Sequence, residues 1–430
     1  MRRVPGRRPG EAPLLRLPLA DGRPATLLLG EVSTVLSIDD ALVSSWDLAG
    51  RPYALVRETG TYRRGLDGGL LWKREATADA PRLRRRLSAA EGEPVVEAAR
   101  REAAAALETC LRPSPVAAGT APVIPRDSGW TGPEESAVSE AVRRLQAIAA
   151  LDAAALRGDA ARFLAASGPV GILPPDQYLS LVVRVTEGCS WNACTFCSLY
   201  RDVPFRFKRP DELDTHVDAL LAYFGPSLAL RRSVFLGDAN ALCLAHDRLL
   251  PLVERAAARL PGAPMFSFLD AWTGRRRSPE EWRSYAALGL KRVYVGLESG
   301  DAGLLAWLEK PGLPQDAVDL VGALHEAGVA AGLIVLLGAG GERFAEAHAA
   351  KTAGILSAMR LRPDDLVYFS EYVDDPGLAY GQRAAGAADL QPLSPGRCTE
   401  QRRAIVAGIR GAPGARPPRH ATYDIREFVY

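Results

Sequence analysis

The stretch LSLVVRVTEGCSWNACTFCSLY, residues 179–200, joins an apolar run to a loop that carries three cysteines. The run from Leu179 to Val185 is typical of a buried strand, and Cys189, Cys194 and Cys197 follow it closely. Three soft ligands grouped on one loop, directly after a strand, indicate a metal or redox centre.

The sequence that follows this loop alternates between apolar runs and helical segments. The predicted strands are 179–185, 233–237, 264–269, 291–297, a short fifth strand before residue 314, 331–337 and 365–370. The predicted helices are 210–223, 246–259, 278–289, 300–309, 314–327 and 342–359. Such alternation predicts an α/β fold with a parallel sheet covered by helices. The number of units fits a partial or complete (β/α) barrel, whose site would lie at the carboxyl ends of the strands.

The remainder of the chain has a different organisation. Residues 14–75 contain short apolar runs between turn signals and are β-rich, whereas 87–111 and two later segments, about 134–150 and 152–167, are helical in composition. We predict an N-terminal α+β domain of unassigned role. The predicted domains are 1–111 (α+β), 112–136 (Pro/Gly-rich linker), 137–177 (helical connector), 178–380 (barrel) and 381–430 (C-terminal extension).

Composition excludes several classes of function. The 430 residues are 47% hydrophobic and 24% charged, as in a soluble globular protein, and the formal charge of +2 gives no reason to expect DNA as a partner. No apolar stretch is long enough to span a membrane, and no signal peptide is evident, so we expect a cytoplasmic protein. Cys110 and Cys243 are interpreted as small buried hydrophobic residues, and Cys398 stands alone.

The number of clustered cysteines distinguishes two kinds of metal centre. Structural zinc takes four ligands, and no histidine follows the loop at ligand spacing, since His216 lies in a helical segment. A [4Fe–4S] cluster held by three thiolates leaves one iron open to a non-protein ligand, which accounts for the missing fourth cysteine. A zinc-stabilised binding module remains the alternative.

The cysteine loop resembles that of the radical S-adenosylmethionine (radical SAM) superfamily. There the open iron binds the amino and carboxyl groups of the cofactor, and an aromatic residue before the last cysteine, here Phe196, packs near the adenine. The spacing departs from the commonest pattern, Cys-x3-Cys-x2-Cys, because four residues separate Cys189 from Cys194.

Further motifs at predicted strand ends extend the resemblance over about residues 178–380. In VFLGDANAL (234–242), Gly237, Asp238 and Asn240 occupy the place of a motif that holds the cofactor's ammonium. Glu298 in VYVGLESG (293–300) is implied to contact the ribose or amino group, and Gly338 in GLIVLLGAGGE (332–342) to contact the adenine. Taken singly, each is also compatible with an ordinary turn or a helix N-terminus.

Two further stretches lie near these motifs. Asp270 in SFLDAW (267–272) is expected at the same edge of the sheet. The stretch YRDVPFRFKRP (200–210) is basic and aromatic, which suits a solvated surface or a contact with a substrate carboxylate or phosphate, and less well nucleic acid.

The resemblance implies a reaction type without a substrate. A [4Fe–4S] cluster would cleave S-adenosylmethionine reductively to a 5′-deoxyadenosyl radical, which removes hydrogen from a small molecule in an epimerisation, dehydrogenation, decarboxylation or rearrangement. A flavodoxin- or ferredoxin-like donor of low potential is implied. The alternatives are an iron–sulfur maturation or sensor protein without turnover, and a radical SAM enzyme that modifies RNA or peptide.

Overall fold

The computed structural model describes residues 12–76, 82–112, 134–375, 377–410 and 418–430. The chain divides into two units. The first, here called the meander unit, contains Arg2–Pro169, Asp218–Arg232 and Arg426–Tyr430; the second, the parallel-sheet unit, contains Val170–Val217 and Ser233–Ile425. The predicted linker at 112–136 lies almost wholly outside the described residues, and the predicted domain boundaries remain predictions.

An eight-stranded antiparallel sheet dominates the meander unit, with its strands paired in sequence order. The strands are β1 (Leu14–Pro18), β2 (Pro24–Leu29), β3 (Ser33–Ile38), β4 (Leu42–Asp47), β5 (Pro52–Arg57), β6 (Gly60–Arg64), β7 (Leu70–Arg74) and β8 (Leu83–Leu87). Every second side chain of β2 and β3 is buried, so one face of the sheet is apolar. The predicted β-rich region is therefore confirmed.

Three helices complete the N-terminal part: α1 (Ala89–Leu111), α2 (Glu134–Ala149) and α3 (Ala153–Ser167). Small side chains of α1 and α2, among them Ala103 and Ala141, pack with Leu27 and Trp46 of the sheet in one core, and Cys110 is buried there as predicted. Alanine at these positions lets helix and sheet backbones approach closely. The N-terminal part of the chain thus combines a sheet with helices, and the predicted α+β domain at 1–111 remains a prediction.

A seven-stranded parallel sheet forms the centre of the second unit, in the order β17-β16-β15-β14-β13-β12-β9. Its strands are β9 (Ser180–Arg184), β12 (Ser233–Gly237), β13 (Met265–Leu269), β14 (Leu290–Glu298), β15 (Ala330–Leu337), β16 (Leu366–Glu371) and β17 (Arg419–Thr422). β9 and β12 are buried at every position, because helices cover both faces of such a sheet. The α/β architecture of the prediction is confirmed.

The helices of this part of the chain follow the strands closely. They are α4 (Pro210–Phe224), α5 (His246–Arg259), α6 (Ala271–Gly274), α7 (Pro279–Ala287), α8 (Ala302–Trp307), α9 (Pro314–Glu326), α10 (Gly341–Ala358), α11 (Ala379–Ala384) and α12 (Pro395–Gly408). A two-stranded ribbon, β10 (Thr186–Glu187) with β11 (Arg206–Phe207), closes the base of the cysteine loop. Among the described residues, no helix is both long and apolar enough to cross a membrane.

Two details correct the sequence-based expectations. No strand is present in the fully described segment between α8 and α9, so the predicted short fifth strand is wrong; a turn leads from one helix to the next. The sheet also continues past residue 380, the predicted end of the barrel, because β17 pairs in parallel with β16.

Candidate functional site

A buried ion pair anchors the cysteine loop to the sheet. The Arg184 guanidinium, at the end of β9, donates to both carboxylate oxygens of Asp238, at 3.0 and 2.9 Å. The backbone N–H of Gly188 donates to the same carboxylate at 3.0 Å. Burial raises the pKa of Asp238, and Arg184 opposes that rise. The pair therefore joins two adjacent strand ends to the residue directly before Cys189.

Gly188 is required where the loop leaves the sheet. Its φ of +74° is a conformation that side chains disfavour, and a Cβ there would lie 2.6 Å from the carbonyl oxygen of Val203. The loop consequently packs tightly against residues 203–204 of its own return segment.

The three clustered cysteines line one cavity of about 250 Å³ at the carboxyl edge of the parallel sheet. Burial raises the pKa of Cys194 to about 12, against the lowering effect of Lys310, and burial also raises the pKa of Cys197. Bare thiolates are therefore unfavourable at this site, and a cationic partner is needed to hold them ionised. This donor set of soft, half-buried sulfurs fits the irons of a [4Fe–4S] cluster.

A site for a single metal ion would need a different arrangement of ligands from that of a cluster. Within the described ranges, no three His, Cys, Asp or Glu side chains converge as ligands of a single metal ion. A cluster takes each thiolate at a different iron and does not require that convergence.

A second ion pair, Glu298 with Lys310, lies in the same cavity. The Lys310 Nζ is 3.4 Å from Glu298 Oε1, and both residues line the cavity with Cys194. Burial raises the pKa of Glu298, and Lys310 partly counters that rise. Burial disfavours charge on Lys310, but Glu298, Cys194 and Asp270 together raise the lysine pKa. Glu298 has a φ of +54°, a left-handed conformation that costs a non-glycine residue about 1–2 kcal/mol. Carboxylate and ammonium are thus both presented to the cavity.

Helix α10 holds the turn that follows Glu298. Ser299 Oγ lies 2.7 Å from His348 Nδ1, and the N–H of Gly300 donates to Thr352 Oγ1 at 2.8 Å. A Cβ on Gly300 would lie 2.5 Å from the carbonyl oxygen of Lys351, so glycine permits this close approach. Burial lowers the pKa of His348 to about 4, with Asp301 acting in the opposite direction.

Asn240 connects the loop to two strand ends. Its side-chain amide donates to Ser190 Oγ at 2.8 Å and to the Asp270 carboxylate, while its Oδ1 accepts from the Asp270 N–H at 3.0 Å. Both Asn240 and Asp270 line the cavity, which confirms that Asp270 lies at the same edge of the sheet.

Seven aromatic residues line the cavity. The aromatic lining residues are Trp191, Phe196, Tyr200, Phe268, Tyr294, Tyr372 and Tyr423. They surround the polar groups with apolar surface, which strengthens electrostatic interactions inside the cavity.

The predicted site residues divide into two groups. Phe196, Asn240 and Glu298 line the cavity with the three cysteines. The other three have different contacts: Gly237 packs toward Val182. The Asp238 carboxylate accepts hydrogen bonds from Arg184 and Gly188. Gly338 donates its N–H to Gln401 and lies against Cys398. The structure does not bring these last three to the cavity, so it gives their predicted cofactor contacts no support.

Sequence reasoning missed Arg184 and Lys310. Arg184 interrupts the apolar run LVVRV, and a charge inside a buried strand requires a partner, which was the available signal. Lys310 lies outside every strand-end motif, and only the fold brings it beside Glu298. Cys243, predicted to be buried, is partly exposed next to Ser190, and burial still raises its pKa to about 11.

A larger groove of about 650 Å³ lies between α10 and α12. It is lined by small side chains such as Ala349 and Ala353 and carries no cysteine. Since chemistry and not size identifies a site, we assign the function to the cysteine-lined cavity.

Comparison with protein families matches residues 183–351 to the Radical SAM superfamily. The chain contains a radical SAM domain. The domain begins within β9 and includes the cysteine loop, Glu298 and Lys310. Its cofactors are those of the superfamily, a [4Fe–4S] cluster and S-adenosylmethionine.

Solved structures resemble this chain only in part. Coproporphyrinogen III oxidase HemN from Escherichia coli is 18% identical over 57% of this chain and 54% of its own, with a TM-score of 0.38. Methylornithine synthase PylB is 16% identical over 58% of this chain and 67% of its own, also with a TM-score of 0.38.

The methyltransferase TsrM from Kitasatospora setae is 17% identical over 48% of this chain, with a TM-score of 0.38. This chain spans 38% of the methyltransferase's length. No curated protein matches the chain in sequence.

Proposed function

We propose that this protein is a radical SAM enzyme that uses S-adenosylmethionine to abstract hydrogen from a small-molecule substrate. The observation that carries the proposal is the placement of Cys189, Cys194 and Cys197 in one cavity with the Glu298–Lys310 pair. When bound, the cluster and S-adenosylmethionine supply a 5′-deoxyadenosyl radical, and the protein supplies orientation and shelter.

The ion pair suits the amino-acid end of the cofactor. Glu298 can accept hydrogen bonds from an α-ammonium, and Lys310 can donate to an α-carboxylate, so the pair is complementary to a zwitterion. Glu298 and Lys310 are paired with each other in the cavity. When a zwitterion binds, its ammonium pairs with Glu298 and its carboxylate pairs with Lys310, so two ion pairs replace one and no buried charge is left unpaired.

The remaining lining residues provide shelter for reactive species. The aromatic wall that includes Phe196, Tyr294 and Tyr372 excludes water, and the cavity of about 250 Å³ favours a small organic substrate over a folded macromolecule. An electron donor of low potential, flavodoxin- or ferredoxin-like, completes the proposed reaction.

Anaerobic reconstitution tests the proposal. We expect about four iron and four sulfide per chain, absorption that bleaches with dithionite, and release of methionine and 5′-deoxyadenosine from S-adenosylmethionine. Zinc without sulfide would identify a zinc module, and a full cluster without cleavage would identify a sensor or maturation protein. Deuterium transfer from a candidate substrate into 5′-deoxyadenosine would identify the substrate class.

A further inference from the structure

Exposed apolar side chains are concentrated beside the cysteine loop. Of the ten large hydrophobic side chains exposed in the part of the chain that the structure describes, four lie between residues 191 and 207. Three of them, Leu199, Phe205 and Phe207, are 40%, 38% and 36% exposed and belong to the segment that returns from the loop to α4. Such a concentration of exposed apolar surface marks an interaction site more often than chance.

Positive charge accompanies these side chains. Residues 199–209 contain Arg201, Arg206, Lys208 and Arg209 against one acid, Asp202. Glu187 pairs with both Arg206 (2.7 Å) and Lys208 (2.6 Å). Glu212 lies 3.6 Å from Arg206, and Asp211 pairs with Arg209 at 3.3 Å, so these three cations all have carboxylate partners.

Arg201 and Arg248 stand apart from these ion pairs. Arg248 of α5 is exposed, with its guanidinium carbon 5.5 Å from the ring centroid of Phe207. Arg201 donates only to main-chain carbonyls. Within the described ranges, neither is in an ion pair. Together with Leu199, Phe205 and Phe207, these two arginines form what we call the loop-side patch.

The loop-side patch is bonded directly to the cysteine loop. Arg201 donates to the carbonyl oxygens of Cys197 (2.9 Å) and Cys194 (2.6 Å), and the Leu199 N–H donates to the Cys197 sulfur. The backbone at Val203 packs against Gly188, as described above. A partner seated on the patch would therefore lie close to the cluster.

We infer that the loop-side patch is the docking surface for an acidic protein that carries one electron at a time. The inference rests on the proposed function, because an electron must enter the cluster from outside. In this step a reduced flavin hydroquinone or iron–sulfur carrier loses one electron, and the oxidised cluster gains it. Arginine and aromatic residues are enriched at interfaces, and electron-transfer contacts are small and brief. Arginines outside ion pairs steer an acidic partner to such a contact.

Charge reversal at Arg248 tests the inference, because this side chain is exposed and has no carboxylate partner to lose. Photoreduced bacterial flavodoxin would be mixed with the reconstituted protein, and the second-order rate of cluster bleaching measured at several salt concentrations. We expect Arg248→Glu to lower that rate about tenfold at low salt and less at high salt, since salt screens the steering. Phe205→Ser should slow the reaction at all salt concentrations.

The matched control is Arg403→Glu, an equal charge change at an exposed position of α12. It should react with flavodoxin at the parent rate. Iron content and dithionite-driven cleavage of S-adenosylmethionine should match the parent in all three variants. Failure of dithionite-driven cleavage in the parent would refute the proposed function, which separates that outcome from failure of the docking surface.

Three results would overturn the inference. The first is an Arg248→Glu rate and salt dependence equal to the parent's. The second is an equal loss in Arg403→Glu, which would make net charge the cause. The third is weaker binding of a labelled dT20 oligonucleotide by Arg248→Glu with flavodoxin reduction unchanged, which would make the patch a nucleic-acid surface.

Discussion

Each cysteine of the loop has a role that the scattered cysteines do not share. Cys189→Ala, Cys194→Ala and Cys197→Ala should each abolish cleavage of S-adenosylmethionine and lower the iron and sulfide bound per chain, because each removes one of the proposed cluster ligands. Cys398 is buried against Gly338 instead, so Cys398→Ala should retain the parent's iron. Iron and sulfide analysis after anaerobic reconstitution checks both expectations. Loss of the cluster in Cys398→Ala would contradict the single-loop assignment.

Substitutions of Asp238 and Glu298 should have different effects on iron content and cofactor binding. Asp238→Asn removes the buried carboxylate charge that accepts two hydrogen bonds from the Arg184 guanidinium, which costs about 3–5 kcal/mol and frees the loop from β12. We therefore expect lower iron content and a lower melting temperature.

Glu298→Gln should instead keep the cluster. It removes a charged contact worth on the order of 1.5–3 kcal/mol, so affinity for S-adenosylmethionine should fall roughly ten- to a hundredfold. Iron analysis with calorimetric titration distinguishes the two variants. If Asp238→Asn kept its full iron content but bound S-adenosylmethionine more weakly, the result would support the direct contact between Asp238 and the cofactor that the sequence predicted.

Among helices, α10 makes stability depend on pH through His348. The side chain is fully buried and its pKa is lowered to about 4. Between about pH 4 and the ordinary histidine pKa of 6.5, this side chain binds more protons in the unfolded chain than in the folded one. The free energy of unfolding therefore decreases as the pH falls through that window. The full loss is on the order of 3 kcal/mol.

Urea unfolding of the cluster-free protein measures this dependence. His348→Gln should lose less stability than the parent between pH 7 and pH 4.5, whatever its stability at pH 7. His246→Gln, the same substitution at a partly exposed histidine outside α10, serves as the matched control. Equal dependence in parent and His348→Gln would assign the acid sensitivity to other groups.

Strands and helices could be predicted from the sequence where burial gives their apolar residues a regular spacing or a continuous run. Apolar runs such as LIVLL of β15 and the alternation with helices predict the parallel sheet within a few residues. β17, with the sequence RHAT, is exposed at three of its four positions and has no apolar pattern, so only its pairing with β16 reveals it.

The same limit applies to the candidate site. The cysteines follow from sequence because their spacing is local. The pairs Arg184–Asp238 and Glu298–Lys310 depend on contacts between different elements, which no local pattern encodes. Within the GDAN motif, the fold pairs Asp238 with Arg184, which the local sequence does not encode, while Asn240 lines the cavity; the predicted cofactor contacts of the motif stay predictions.

At the scale of the whole molecule, the residues 426–430 belong to the meander unit. The ring of Tyr430 lies 5.7 Å from that of Phe163 and beneath the Arg231 guanidinium, and Leu66 donates its N–H to the Tyr430 carbonyl. Tyr430→Ala should destabilise this unit by about 3 kcal/mol through the cavity it leaves.

Hydrogen exchange of amides in β6 and β7 measures that loss separately from the other unit. Ile425→Ala, at an exposed position of the parallel-sheet unit, should leave the same amides unchanged. Unchanged exchange in Tyr430→Ala would show that the C-terminal residues do not support the meander unit.

Because the meander unit includes both residues before Pro169 and residues 426–430, its parts are synthesised at widely separated times. A ribosome that has finished Pro169 must add more than 250 further residues before Arg426 emerges, roughly 13–50 s at bacterial to eukaryotic rates of elongation. During that interval the eight-stranded sheet can form, but its contacts with residues 426–430 wait until those residues have been made. The nascent chain would expose to chaperones the surface that those residues contact, while the cysteine loop is already outside the exit tunnel.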